Sequence, residues 1–95
     1  MNNNNNPYVF TQKEIEKLPN SFYSHAEAIF HISEVGIEVK QTRVADWLGV
    51  SRANVSQVIG RMQNSGLIEM DDELKLTEKG TYLAKMIARR HRIIE

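Results

Sequence analysis

The chain has 95 residues, 41% of them hydrophobic, with 12 basic and 12 acidic residues that give a formal net charge of zero. That length holds one small domain with one modest core. The absence of cysteine excludes a disulfide framework and a thiolate zinc site; no apolar run approaches the roughly 20 residues of a membrane span, and no signal-peptide layout opens the chain. A soluble, cytoplasmic protein is expected.

Residues 1–10, with the homopolymer Asn2–Asn6, can bury little and are expected to be a disordered tail, leaving 11–95 as the folded domain. Thr11 with Glu14 suggests a capping box for a short helix that carries Ile15 and Leu18 and ends at Pro19. A second helix is expected from Asn20 or Ser21 to Gly36, with Phe22, Ala26, Ile29, Phe30 and Ser33 on or near one face. His25 and His31 fall on different faces of it and are given no ligand role.

The stretch from Gln41 to Asn64 has the form of a helix-turn-helix. Ala45 is small where two helices would approach, Gly49 ends the first helix in a left-handed conformation, and Val55 turns back into the core. Val44, Leu48, Val50, Val58, Ile59 and Met62 supply the apolar steps around them. Gly66 is expected just past the second helix. Leu67–Met70 and Leu74–Leu76 read as two strands of a hairpin turning at Asp71–Glu73, and Thr77 caps a last helix carrying Leu83, Met86, Ile87 and Ile94. The expected fold is mainly α, a winged helix-turn-helix of four to five helices with a two-stranded β-hairpin wing.

In such a motif the N-terminal turns of the second helix enter the major groove of double-stranded DNA. The candidates are Ser51, Arg52, Ala53, Asn54, Ser56 and Gln57, whose side chains suit base edges, thymine methyls and phosphates. From Ser51 to Gly66 the only charges are Arg52 and Arg61, whereas an ordinary solvated helix face mixes both signs. Thr42, Arg43 and Arg61 are the expected phosphate contacts. Between Glu69 and Glu78 five acids accompany one Lys, so the wing is expected to be structural or to face away from the duplex. His91 and Glu95 lie one helical turn apart, a spacing compatible with a shared divalent ion and more often belonging to a surface ion pair. No nucleophile-and-base arrangement or phosphate-binding glycine loop points to an enzyme.

The helix-turn-helix, the run SRANVSQ from Ser51, NSGLI from Asn64, LTEKG from Leu76 and the terminal RRHRIIE together resemble the N-terminal DNA-binding domain of the diphtheria-toxin-repressor group. The resemblance covers Phe22 to Glu95. It implies a manganese- or iron-dependent transcriptional regulator, a repressor whose homodimer binds an operator palindrome, with metal held between this domain and a following dimerisation domain that would lie beyond Glu95. It further implies His91, Glu95 and Glu27 as ligands for Mn²⁺ or Fe²⁺, with Ser24 standing where the group places an Asp or Met ligand. Two other readings stay open: a stand-alone regulator of the multiple-antibiotic-resistance type, and a winged-helix protein-interaction module docking through its acidic hairpin.

Overall fold

A computed structural model describes Glu14 and residues 17–94, with side chains through residue 89. The expected Asn tail, most of the short helix begun by Thr11, the side chain of His91 and all of Glu95 lie outside the described residues.

The described elements are α1 (Asn20–Glu34), α2 (Gln41–Leu48), α3 (Arg52–Asn64), β1 (Ile68–Met70), β2 (Leu74–Leu76) and α4 (Glu78–Ile94). This is the order of a winged helix. The strands pair antiparallel in the register Ile68 with Leu76, Glu69 with Lys75 and Met70 with Leu74. β1 begins at Ile68 rather than Leu67, because the Leu67 amide closes the end of α3 on Met62 O at 2.9 Å.

α1 packs most extensively on α4 and also touches α2, α3 and β2, so it is the spine of the domain. Its buried side comprises Phe22, His25, Ala26, Ala28, Ile29 and Ile32. Ser33, expected near that side, is exposed, and Phe30 is only partly buried, because Ile32 and Ile29 already occupy the arc facing the core. Val44 and Ala45 of α2, Val55, Val58, Ile59 and Met62 of α3, and Leu83, Ala84 and Ile87 of α4 complete the core with Leu67, Ile68 and Leu74. Leu48, Val50 and Met86 pack against its edge. The apolar steps read from Phe22 to Ile87 therefore meet in one place, as burial of a shared hydrophobic face requires; the side chains of Ile15 and Ile94 lie outside the described residues.

Two junctions position the functional elements. At the first, Gly49 adopts φ 70° and ψ 36°, a region that costs a side-chain-bearing residue roughly 1–2 kcal/mol. Its amide and that of Val50 both reach Ala45 O, at 2.8 and 3.1 Å. The chain thereby leaves α2 and enters α3 within three residues. The second junction ties the end of α3 to the start of α4. Thr77 Oγ1 donates to Gly66 O at 2.7 Å and accepts from the Gly80 amide at 3.1 Å, while the Thr77 amide donates to Leu67 O at 3.0 Å. Thr77 is thus the cap of α4, as its place before Glu78 implies, and it also clasps the base of the wing. Gly80 allows the close approach this needs: a Cβ there would lie 2.1 Å from Leu67 O and 3.1 Å from Leu76 Cδ2.

Candidate nucleic-acid interface

The surface built around α3 follows from its cap. Ser51 has extended backbone, φ −74° and ψ 156°, and its hydroxyl accepts from the Asn54 amide at 3.1 Å. That bond satisfies one of the open amides at the helix start. It also commits the Ser51 oxygen as a structural acceptor, leaving its proton for an outside partner. Since Val55, Val58, Ile59 and Met62 turn inward, helical geometry turns their neighbours outward: Arg52, Ala53, Asn54, Ser56 and Gln57 are all exposed. The six candidate base-reading residues are therefore brought together on one end and side of α3. The first turn contains no acidic residue to offset the partial positive charge of the helix N-terminus, which favours anions.

The expected phosphate contacts are placed more variously. Thr42 and Arg43 are exposed in the first turn of α2, and Arg43 Nη1 donates to Glu38 O, which holds the guanidinium against the loop before the helix. Arg61 is exposed on α3, but its guanidinium carbon sits 5.5 Å from the centre of the Phe22 ring, a cation–π contact that draws it toward α1. The wing presents Glu69, Met70, Asp71 and Asp72 to solvent and keeps Leu74 inside. Its tip carries the acidic character the sequence implies.

Three features of this region are not evident from the sequence reading. Trp47 is 55% exposed on α2, because Val44, Ala45 and Leu48 fill the inward arc, and it stacks on His31 with centroids 6.3 Å apart and planes 16° from parallel. His25 is only 3% exposed. Its Nδ1 lies 2.8 Å from Ser21 O, and because a carbonyl only accepts, the neutral ring carries its proton on Nδ1. Among the described residues, the buried Nε2 has no hydrogen-bond partner. Burial pushes the His25 pKa below its ordinary 6.5, partly opposed by the bond to Ser21. Its position three residues after Phe22 and four before Ile29 is the periodic signal that would have placed it inside. The third feature is Gly60, a partly exposed glycine in the middle of α3.

Of the residues the family resemblance implies as metal ligands, only Glu27 has a described side chain, and its Oε2 lies 3.8 Å from His31 Nε2. A carboxylate and an imidazole are a suitable donor pair for Mn²⁺ or Fe²⁺. Ser24, however, donates its hydroxyl to Ser21 O at 3.1 Å, so it is engaged within α1. Among the described residues, no group of three or more His, Asp or Glu side chains is gathered as a metal site would require.

Comparison with known proteins agrees with this geometry. The chain is 34% identical over 83 residues to the iron-dependent repressor IdeR of Mycobacterium tuberculosis, covering 85% of this chain and 36% of that protein. It is 36% identical over 73 residues to the diphtheria toxin repressor of Corynebacterium jeikeium, covering 75% of this chain and 30% of the relative. The chain thus spans about a third of the length of these relatives, and the resemblance to the diphtheria-toxin-repressor group read from SRANVSQ and RRHRIIE is borne out. A MarR/EmrR family transcriptional regulator from Acinetobacter sp. ADP1 superposes with a TM-score of 0.63 at 20% identity, over 90% of this chain and 63% of that one; this likeness concerns the fold alone. A family profile described as the Crp-like helix-turn-helix domain matches residues 21–79, from the start of α1 through the wing to the first turn of α4. With the helix-turn-helix and its hairpin both inside that match, the chain belongs to the Crp-like helix-turn-helix domain family.

Proposed function

We propose that the chain is the sequence-specific, double-stranded-DNA-binding domain of a transcriptional regulator of the diphtheria-toxin-repressor type, acting in the cytoplasm as a repressor and without catalytic activity. The observation that carries this reading is the start of α3: a capped, acid-free helix end on which Arg52, Ala53, Asn54, Ser56 and Gln57 are exposed together. Asn54 and Gln57 have the donor and acceptor needed for a bidentate bond to adenine, Arg52 reads guanine or binds phosphate, and Ala53 can touch a thymine methyl. The helix N-terminus adds attraction for a phosphate.

The relatives are named as iron-dependent and diphtheria toxin repressors, and for this chain we infer the corresponding arrangement, a homodimer on an operator palindrome under control of Fe²⁺ or Mn²⁺. Glu27, His91 and Glu95 are the residues through which such control would act. The metal would tie α1 to the following dimerisation domain and so set the spacing of two recognition helices.

The test is selection of duplexes from a random-sequence pool, followed by mobility-shift titration of Asn54→Ala and Gln57→Ala on the enriched sequence. Each lost bidentate contact is expected to cost about 1–3 kcal/mol and to relax preference at one base pair. With Arg43, Arg52 and Arg61 as the phosphate-neutralising groups, log affinity should fall against log salt with a slope no steeper than about −2.7 per monomer. Failure to enrich any duplex at low salt would exclude the reading and favour protein docking through the acidic hairpin.

A further inference from the structure

We propose that Gly60 marks the point where the backbone of α3 meets the sugar–phosphate edge of the major groove, and that its missing side chain sets how deeply the helix seats. This rests on the DNA-binding reading and deepens it.

Glycine is the poorest helix former after proline, so one in the middle of the 13-residue α3 needs a reason. The fold provides none. Among the described residues, a Cβ built at Gly60 meets no heavy atom within 4 Å outside its own stretch of helix. Its φ is not among the positive ones, and α3 runs unbroken from Arg52 to Asn64. Gly80 is the opposite case, since a Cβ there would strike Leu67 O. A glycine that the chain itself does not require is explained by something outside the chain.

Its position says what. Val55, Val58, Ile59 and Met62 define the buried side of α3, and at 3.6 residues per turn the opposite row passes through Ala53, Gln57, Gly60 and Asn64. Gly60 therefore stands in line with two candidate base-reading residues, about 10.5 Å along the helix from Ala53. The adjacent Arg61 guanidinium is drawn over the Phe22 ring, so it is directed toward α1 rather than along that outward row. A major groove about 12 Å wide barely admits a helix whose diameter with side chains is about 10–12 Å. An outward row two turns from the base-reading end is where the groove wall approaches the helix, and there a bare backbone lets α3 lie closer.

The experiment uses duplexes selected by the wild-type chain from a random pool and compares wild type, Gly60→Ala and Gly60→Gln in binding and thermal melting. Both variants should melt at or above wild type, since alanine and glutamine favour the helix. Gly60→Ala should bind at least about fivefold more weakly, as overfilling a close contact does, and Gly60→Gln more weakly still. Binding by Gly60→Ala within about twofold of wild type would overturn the proposal and leave DNA binding standing. Melting of Gly60→Ala well below wild type would also overturn it, by showing that the fold needs the glycine. If the wild-type chain enriches no duplex, the DNA reading falls and this inference with it.

Discussion

Gly80→Ala places a methyl group where the structure has a carbonyl oxygen. The added Cβ would lie 2.1 Å from Leu67 O and 3.1 Å from the Leu67 carbonyl carbon, whereas a carbon and a carbonyl oxygen ordinarily approach no closer than about 3.3 Å. Relief requires a displacement of about 1.2 Å between the first turn of α4 and the segment leaving α3. The partner atoms are backbone, so no side-chain rotation accommodates it. The same Leu67 oxygen accepts from the Thr77 amide, and Thr77 Oγ1 bridges Gly66 O and the Gly80 amide, so the displacement strains three hydrogen bonds at once. Overpacking costs about 1–3 kcal/mol, and weakened hydrogen bonds add about 0.5–1.5 each. Against this, alanine gains at most about 1 kcal/mol in helix propensity. The net expectation is a loss of about 2 kcal/mol or more, which for a domain of this size lowers the melting temperature by about 8–16 °C or more. Thermal and urea unfolding followed by circular dichroism measure it. A Gly80→Ala chain as stable as wild type would refute the close approach and the clasp argument together.

Two further predictions concern titration and the wing. His25 is neutral in the fold with its pKa below 6.5, so its contribution to stability is intact above that value, declines as pH falls through 6.5, and levels once the folded pKa is passed. Urea midpoints measured from about pH 8 to pH 5 should fall, and His25→Gln should remove that component; equal pH slopes in the two chains would count against it. Asp71→Lys with Asp72→Lys reverses the exposed charge of the wing tip. If α3 is the DNA-reading element and the wing lies within a Debye length of the duplex, affinity rises and the salt dependence steepens. A wing that faces away, as the sequence suggests, leaves both unchanged.

The sequence made the helix-turn-helix legible because its determinants are local. Gly49 supplies a left-handed turn, Ser51 a cap, and Val44, Val55, Val58 and Met62 a helical period. Thr77 was legible for the same reason. Its second role, holding Gly66 O eleven residues away, was not, since nothing in TEKG reveals which carbonyl will lie beside it. Gly80 likewise reads as an ordinary glycine in a first turn until Leu67 is seen against it. Trp47 illustrates the converse. A large apolar residue suggests burial, but the inward arc of α2 was already taken, and the ring found a stacking partner in His31 at the surface. The contact of Arg61 with Phe22 was not legible, because it spans two helices. The exposed face of α3 could be inferred from one helix; the placement of its flanking charges required the packing of α1 on α3.

The clasp at Thr77 has a mechanical consequence. Because Gly66, Leu67, Thr77 and Gly80 are joined across the mouth of the hairpin, the wing is a closed ring whose two ends cannot separate without breaking several bonds together. α3 and α4 are thereby coupled: the first turn of α4 is held to the end of α3 by hydrogen bonds rather than by a flexible connection alone. A displacement of the first turn of α4 would therefore be carried to the end of α3 through these bonds.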